Sequence, residues 1–460
     1  MGTKATYKKN DIITLKIEDI TDLGFGVGKL YGIVVFVADT VPGDVIEAKI
    51  IKVNSSYLVA RCEKILERSK MRTDSRCDEA KCKSCAYKCI SYSDELRLKE
   101  EGVRRLFSTD AVGKIETKKI VPSAKEKRYR NKAQYPITLS NGEYEIGFFA
   151  PKTHRVTPIR NCSLAPQIFG DIIEVVKDYL RATTPSVYSE ESGEGLFRHV
   201  YLRRGEVSRE ILVTLVINGE TIPNADALIR SITESFPDVV GIILNVNREK
   251  TNVILGDRYI PLYGRDYIYD TLAGVNLKIT APSFYQVNHD TAELLYKEAK
   301  RLAEPKQEDV LLDLYCGAGS IGLSMACDVR ELIGIEIIQS AVECAKENAR
   351  KNGIENAHFF TGDAKDTEKL LVSAEAALGK KIKPDIIILD PPRAGCDEGL
   401  ISFTANLVPR KIVYISCNPK TLARDVERYR TFGYSTDSVL PVDMFPCTGH
   451  VESVVCLSKQ

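Results

Sequence analysis

Three groups of residues in this chain have the types and spacing to do chemistry. The first is a single cysteine, Cys417, in "KIVYISCNPKT", where an apolar run gives out and Asn418-Pro419 follows. Asn is a favoured helix N-cap and Pro is favoured at the first helical position, so a helix is expected to start there. A thiol at a helix N-terminus meets the positive end of the helix dipole, which favours thiolate. Buried inside the strand it would be inert packing, so its position favours a nucleophile. The second group is three carboxylates, Glu336, Asp363 and Asp390, each closing an apolar run: "ELIGIE", "AHFFTGD" and "PDIIILD". The third is the run "CDEAKCKSCAYKC", with Cys77, Cys82, Cys85 and Cys89. Four local cysteines suit tetrahedral zinc.

The elements that must position the first two groups follow from the pattern. From about residue 281, short apolar runs alternate with helical segments such as "QSAVECAKENARKNG". That alternation predicts a doubly wound parallel sheet with both faces covered. Ligands in such sheets sit at the carboxyl ends of the strands. The first strand ends in "DLYCGAGSIG", where Gly317 and Gly319 permit a tight turn into a helix. The full dinucleotide fingerprint is absent. A carboxylate after the second strand suits ribose hydroxyls, and one after the third suits an adenine edge. This fits a nucleoside cofactor without a pyrophosphate, for which S-adenosylmethionine is the natural candidate. The competing reading is that all three carboxylates merely cap helices.

Composition narrows the classes. The chain has 460 residues, net charge +1, 44% hydrophobic residues, no tryptophan and five histidines. A His-rich metal site or a Ser-His-Asp triad is therefore not expected. No apolar run reaches membrane-spanning length and no leader is expected in "MGTKATYKKN", so the expected setting is cytoplasmic, with thirteen reduced cysteines. Three parts are expected. Residues 1–68 read as short strands with glycine turns, a small β-barrel. Residues 69–280 are mixed α and β, carrying the cysteine run and the basic run "KEKRYRNKAQY". Basic residues with interleaved tyrosines suit phosphate contact and base stacking, or simply a solvated face. Residues 281–460 hold the doubly wound sheet.

A nucleophilic thiol beside a methyl donor suggests one reaction. Carbon 5 of a pyrimidine is a poor nucleophile. Addition of a thiolate to carbon 6 turns carbon 5 into an enolate carbon that accepts a methyl group. A base must then remove the carbon 5 proton before the thiol is eliminated. Glu452, in "GHVESVVCL", precedes the last strand and is the candidate base.

With these residues in view, the chain resembles the S-adenosylmethionine-dependent RNA uracil-5-methyltransferases, most closely the 23S ribosomal RNA enzymes with an N-terminal TRAM domain. The resemblance covers essentially the whole chain. "DLGFGVGKLYGIVVFVADTVPGD" looks like a TRAM domain, and "FYQVN", "LDLYCGAGSIGL", "LDPPRAG", "SCNP" and "GHVESV" stand in the family's order. It implies Cys417 as nucleophile and Glu452 as base. It implies Gln286, Tyr315, Ser320, Glu336, Asp363 and Asp390 around the cofactor, with Asp390 also bordering the uracil. Ser320 stands where a relative carries Asn, and Tyr315 where Phe occurs. It implies a 4Fe–4S cluster on Cys77, Cys82, Cys85 and Cys162, with Cys89 as an extra thiol and an alternative fourth ligand. The implied partner is RNA, with transfer RNA as the rival substrate. No membrane and no obligate protein partner are expected.

Overall fold

A computed structural model describes residues 7–21, 23–79, 82–150 and 153–459. The opening residues 1–6, where no leader is expected, lie outside the described residues. The chain divides into two compact units. One comprises residues 1–99 and 445–450, the other residues 100–444 and 451–460.

The first unit is built on a six-stranded sheet from Ile12–Lys16 to Tyr57–Glu67. Its strands alternate, as in Ile12–Lys16, where Ile13 and Leu15 are buried between exposed residues. That period-2 pattern puts Ile13, Leu15, Val35, Val37, Ile46, Ala48, Ile50, Leu58 and Ala60 into one core. The cysteine run follows the sheet, and its described residues form turns and irregular backbone. It is held by salt bridges to buried carboxylates, Arg72 to Asp44 at 2.5 Å and Arg76 to Glu95.

The second unit contains two large sheets. A seven-stranded, mostly antiparallel sheet includes Lys132–Ser140, Phe197–Arg204, Ile211–Ile217 and Val239–Val246. One face packs on helices Gln167–Thr183 and Ala225–Ser235 through Phe169, Ile172, Val176, Leu228 and Ile232.

The other sheet is the doubly wound one. Its main strands are β1 Val310–Leu314, β2 Glu331–Glu336, β3 Ala357–Thr361, β4 Ile386–Leu389, β5 Lys411–Ser416, β6 Ser438–Val442 and β7 Glu452–Lys459, and the short strands Glu116–Thr117 and Tyr434–Ser435 pair with β6 and β7. The main strands lie in the order β3-β2-β1-β4-β5-β7-β6. The strands β1 to β5 are parallel neighbours, and β7 runs antiparallel beside β5. The parallel pairs read as continuous apolar runs because both faces are covered; every residue of β1 and β4 is buried. Helices α1 Ser320–Met325, α2 Gln339–Lys351, α3 Thr367–Leu378, α4 Glu398–Asn406 and α5 Pro419–Arg430 make the crossovers. Among the described residues no helix is long and apolar enough to cross a membrane.

Candidate active site

The strand order reverses between β1 and β4, which opens a crevice at the carboxyl edge. Tyr315 follows β1 with φ +64°, a left-handed backbone that a bulky residue rarely adopts. Gly317 (φ +55°) and Gly319 (φ +82°) complete the loop. A Cβ on Gly317 would meet no atom within 4 Å, so the backbone there faces open space. Glu336 closes β2 and braces this loop. One carboxylate oxygen accepts from Gly317 N at 3.1 Å and the other from Ile338 N at 2.9 Å. Asp363 follows β3 and caps the next turn through Lys365 N at 3.0 Å. Ser320 begins α1, its hydroxyl 2.8 Å from that of Tyr296. Gln286 is buried, and its carbonyl accepts from Asn131 Nδ2 at 2.8 Å.

The second half of the edge holds the thiol. Cys417 follows β5 and is half-buried. Asn418 caps α5 by accepting from Lys420 N at 3.2 Å, and Pro419 is the first helical residue. Glu452 begins β7. Because Ser416 pairs with Ser453 in the antiparallel register, Cys417 and Glu452 leave the sheet side by side. Asp390 follows β4, the neighbour of β5.

Comparison with known proteins bears on this arrangement. Residues 91–460 match the family model described as tRNA (Uracil-5-)-methyltransferase, and residues 8–62 match that of the TRAM domain. An uncharacterized RNA methyltransferase of Halalkalibacterium halodurans is 38% identical over 458 residues, covering 99% of this chain and 98% of its own. One from Clostridium tetani is 36% identical, covering 98% and 97%. The crystal structure of a Pyrococcus abyssi tRNA (uracil-54, C5)-methyltransferase, in complex with S-adenosyl-L-homocysteine, aligns with a TM-score of 0.77. It has 27% identity and covers 97% of this chain and 100% of that one. The chain belongs to the RNA uracil-5-methyltransferase family.

The methyltransferase therefore binds S-adenosylmethionine, and the first three strand ends fit it. The open backbone at Gly317 and the carboxylates Glu336 and Asp363 offer a nucleoside both space and hydrogen-bond acceptors.

The electrostatics of the thiol differ from the sequence expectation. A lowered pKa was expected at the start of α5. Instead burial pushes the Cys417 thiol up to about 11, helped by the charges of Glu452 and Asp390 and opposed by Arg393. Desolvation and two acidic neighbours outweigh the helix dipole, which is worth only about 1 kcal/mol at an exposed helix end. Burial likewise raises Glu452 to about 8, with Asp390 adding to it and Arg393 opposing, and raises Asp390 to about 7.

Sequence reasoning missed the residue that holds the loops after β4 and β5 together. Asp425 of α5 is fully buried. One of its carboxylate oxygens accepts from Cys396 N at 2.9 Å and from the Tyr414 hydroxyl at 2.7 Å. Arg424 donates to the Ala394 carbonyl, and Asn418 Nδ2 to that of Arg393 at 2.9 Å. The loop after Asp390 is thus pinned to the helix that follows Cys417. Gly395 has φ +75°, and a Cβ there would lie 2.4 Å from the Asp425 carboxylate. The available signal was a charged residue on the buried stripe Leu422, Val426, Tyr429.

The basic run also reads differently in three dimensions. Tyr129 and Tyr135 are buried and offer no ring for base stacking. Lys125 pairs with Glu206 and Asp290, each at 2.8 Å. Arg128 donates to Asn161 and to the carbonyls of Cys162 and Ala165. Most of the run is scaffold.

The cysteines expected to bind metal are Cys82, buried, and Cys77, Cys85 and Cys162, part-buried, with Cys89 also part-buried. Cys162 belongs to the second unit and the others to the first. Among the described residues no three His, Cys, Asp or Glu side chains are gathered closely enough to hold a metal ion. No step of the reaction passes through a metal.

The raised thiol pKa has a direct check. Alkylation of Cys417 in the free enzyme, followed by mass spectrometry across pH, is expected to accelerate up to about pH 11. In Glu452→Gln the midpoint should move lower, because a negative neighbour is gone. A midpoint near 7 in the wild type would contradict the geometry.

Proposed function

We propose that this RNA uracil-5-methyltransferase acts on 23S ribosomal RNA and that Cys417 and Glu452 carry the reaction. The observation that carries the mechanism is the register that sets these two side chains together, beside Asp390. S-adenosylmethionine, when bound, supplies an electrophilic methyl group. Cys417 loses its proton to solvent through its half-exposed side and adds to carbon 6 of the uridine. Carbon 5 becomes nucleophilic and takes the methyl group. Glu452, having released its own proton to solvent, then accepts the carbon 5 proton, the carbon–sulfur bond breaks and the thiolate is regained. A carboxylate near pKa 8 is a stronger base than an ordinary one, which suits removal of a carbon-bound proton at neutral pH. Asp390 borders both the donor and the uracil.

Two substitutions test these roles. Cys417→Ala should abolish methyl transfer while keeping affinity for S-adenosylhomocysteine; turnover in that variant contradicts the mechanism. Glu452→Gln should accumulate a covalent enzyme–RNA adduct, visible as a slow band on a denaturing gel. Its stability carries a second signature. The folded pKa of Glu452 lies above its ordinary 4.5, so its contribution is full below that value and is lost as pH rises through about 8. The melting temperature of the variant should therefore gain on the wild type across that window.

The preference for 23S ribosomal RNA rests on the TRAM domain together with the cysteine run. A second reading, transfer RNA, is favoured by the likeness to the Pyrococcus abyssi tRNA (uracil-54, C5)-methyltransferase. Transfer of radiolabelled methyl to transcripts of each RNA decides: the first reading expects the ribosomal transcript to be labelled, and label on transfer RNA alone overturns it.

The 4Fe–4S assignment to Cys77, Cys82, Cys85 and Cys162 rests on the family resemblance, which implies three clustered cysteines and a distant fourth as its ligands. Anaerobically purified protein is expected to be brown, with iron and sulfide bound. Colourless protein containing zinc would overturn it.

A further inference from the structure

The two faces of the central sheet differ in character. Strands Lys132–Ser140 and Phe197–Arg204 pair with Lys132 opposite Arg203, Gln134 opposite Tyr201 and Pro136 opposite His199. Residues opposite one another share a face. Thr214 of the next strand lies opposite Tyr201 and joins them. The intervening residues, Tyr135, Val200, Leu202, Val213 and Leu215, face the helices and make the core. The first face is therefore polar although it is buried: Arg203 is 2% exposed, His199 4% and Thr214 0%.

Buried polar atoms are ordinarily paired. Here both ring nitrogens of His199, the Thr214 hydroxyl and Arg203 Nη1 have no hydrogen-bond partner. The rest of the Arg203 guanidinium donates to the carbonyls of Ala281 and Ser283 and to the Tyr201 hydroxyl. Lys132 is half-buried, and no carboxylate pairs with it among the described residues. Burial, with Arg203 and Arg130 as neighbouring like charges, holds its ammonium down to about 8. Cations gathered without a counter-charge lower stability. They are accounted for if an anion is to fill the site.

This face adjoins the active-site loop. Asn131, the neighbour of Lys132, donates through its side chain to the Gln286 carbonyl and through its backbone to that of Val287 at 2.9 Å. We propose that Lys132, Arg203 and Gln134 bind a phosphodiester group of the RNA strand beside the target uridine. Lys132 Nζ and Arg203 Nη1 donate to the phosphate oxygens, and Gln134 completes the cradle. The assignment rests on the reading of the chain as an RNA uracil methyltransferase and places one fixed contact for its substrate.

The test uses the full chain. Binding of fluorescein-labelled oligouridylate is followed by anisotropy at several salt concentrations, with S-adenosylhomocysteine affinity measured alongside. Lys132→Gln is expected to weaken RNA binding about tenfold. It should also flatten the dependence of log affinity on log salt by about 0.7, the loss of one single-strand phosphate contact. S-adenosylhomocysteine affinity should not change, and Lys132→Arg should retain RNA affinity. Lys132→Met removes an unpaired, half-buried charge and should fold at least as stably as the wild type, so lost RNA affinity in that variant is not unfolding. Wild-type RNA affinity and salt slope in both Lys132→Gln and Lys132→Met overturn the proposal. A wild type that binds oligouridylate through this contact but forms no 5-methyluridine instead overturns the methyltransferase reading and leaves the site standing.

Discussion

Desolvation of three acidic groups at one sheet edge governs this site. Asp390, Glu452 and Cys417 leave adjacent strands at the same edge, and each is held above its ordinary pKa chiefly by burial. Their charges also oppose one another, so any one ionises more easily when the others stay neutral. Arg393 counters this for Cys417 and Glu452 alike. Near neutral pH the Cys417 thiol is therefore protonated and Glu452 mostly so, while Asp390 stands near its midpoint. A standing thiolate would react with any electrophile that entered. A thiol that ionises only as it adds to a bound pyrimidine confines its reactivity to the substrate.

Positioning depends on buried polar joints rather than on the apolar core. Asp425 ties α5 to the loop after β4, and so fixes the thiol's helix relative to Asp390 and Arg393. Glu336 ties the glycine loop to the start of α2. Asn131 ties the Gln286 loop to the central sheet. Each joint pairs backbone groups where two elements meet, which is what a pre-organised site requires.

Much of the fold was legible because parallel strands buried on both faces read as apolar runs. Each such run ended at a residue of functional type: Glu336, Asp363, Asp390 and Cys417 lie where those runs stop. The antiparallel placement of β7 was not legible, since pairing across the sheet leaves no local mark, and that pairing alone brings Glu452 beside Cys417. The helix-start rule for Cys417 misjudged the thiol because it is local, whereas desolvation and the acidic neighbours come from three different strands. The basic run stayed ambiguous for a related reason. Charge and aromatic content were visible, but the burial of Tyr129 and Tyr135 beside a half-exposed Lys132 is set by tertiary packing.

Trapping the intermediate tests the central claim most directly. RNA carrying 5-fluorouridine at the target has no carbon 5 proton for Glu452 to remove. The enzyme incubated with this RNA and S-adenosylmethionine should stall as a covalent adduct that already carries the methyl group. Digestion and mass spectrometry are expected to find the nucleotide on the peptide containing Cys417. A nucleotide attached elsewhere, or methylated RNA released with no adduct, would contradict the account.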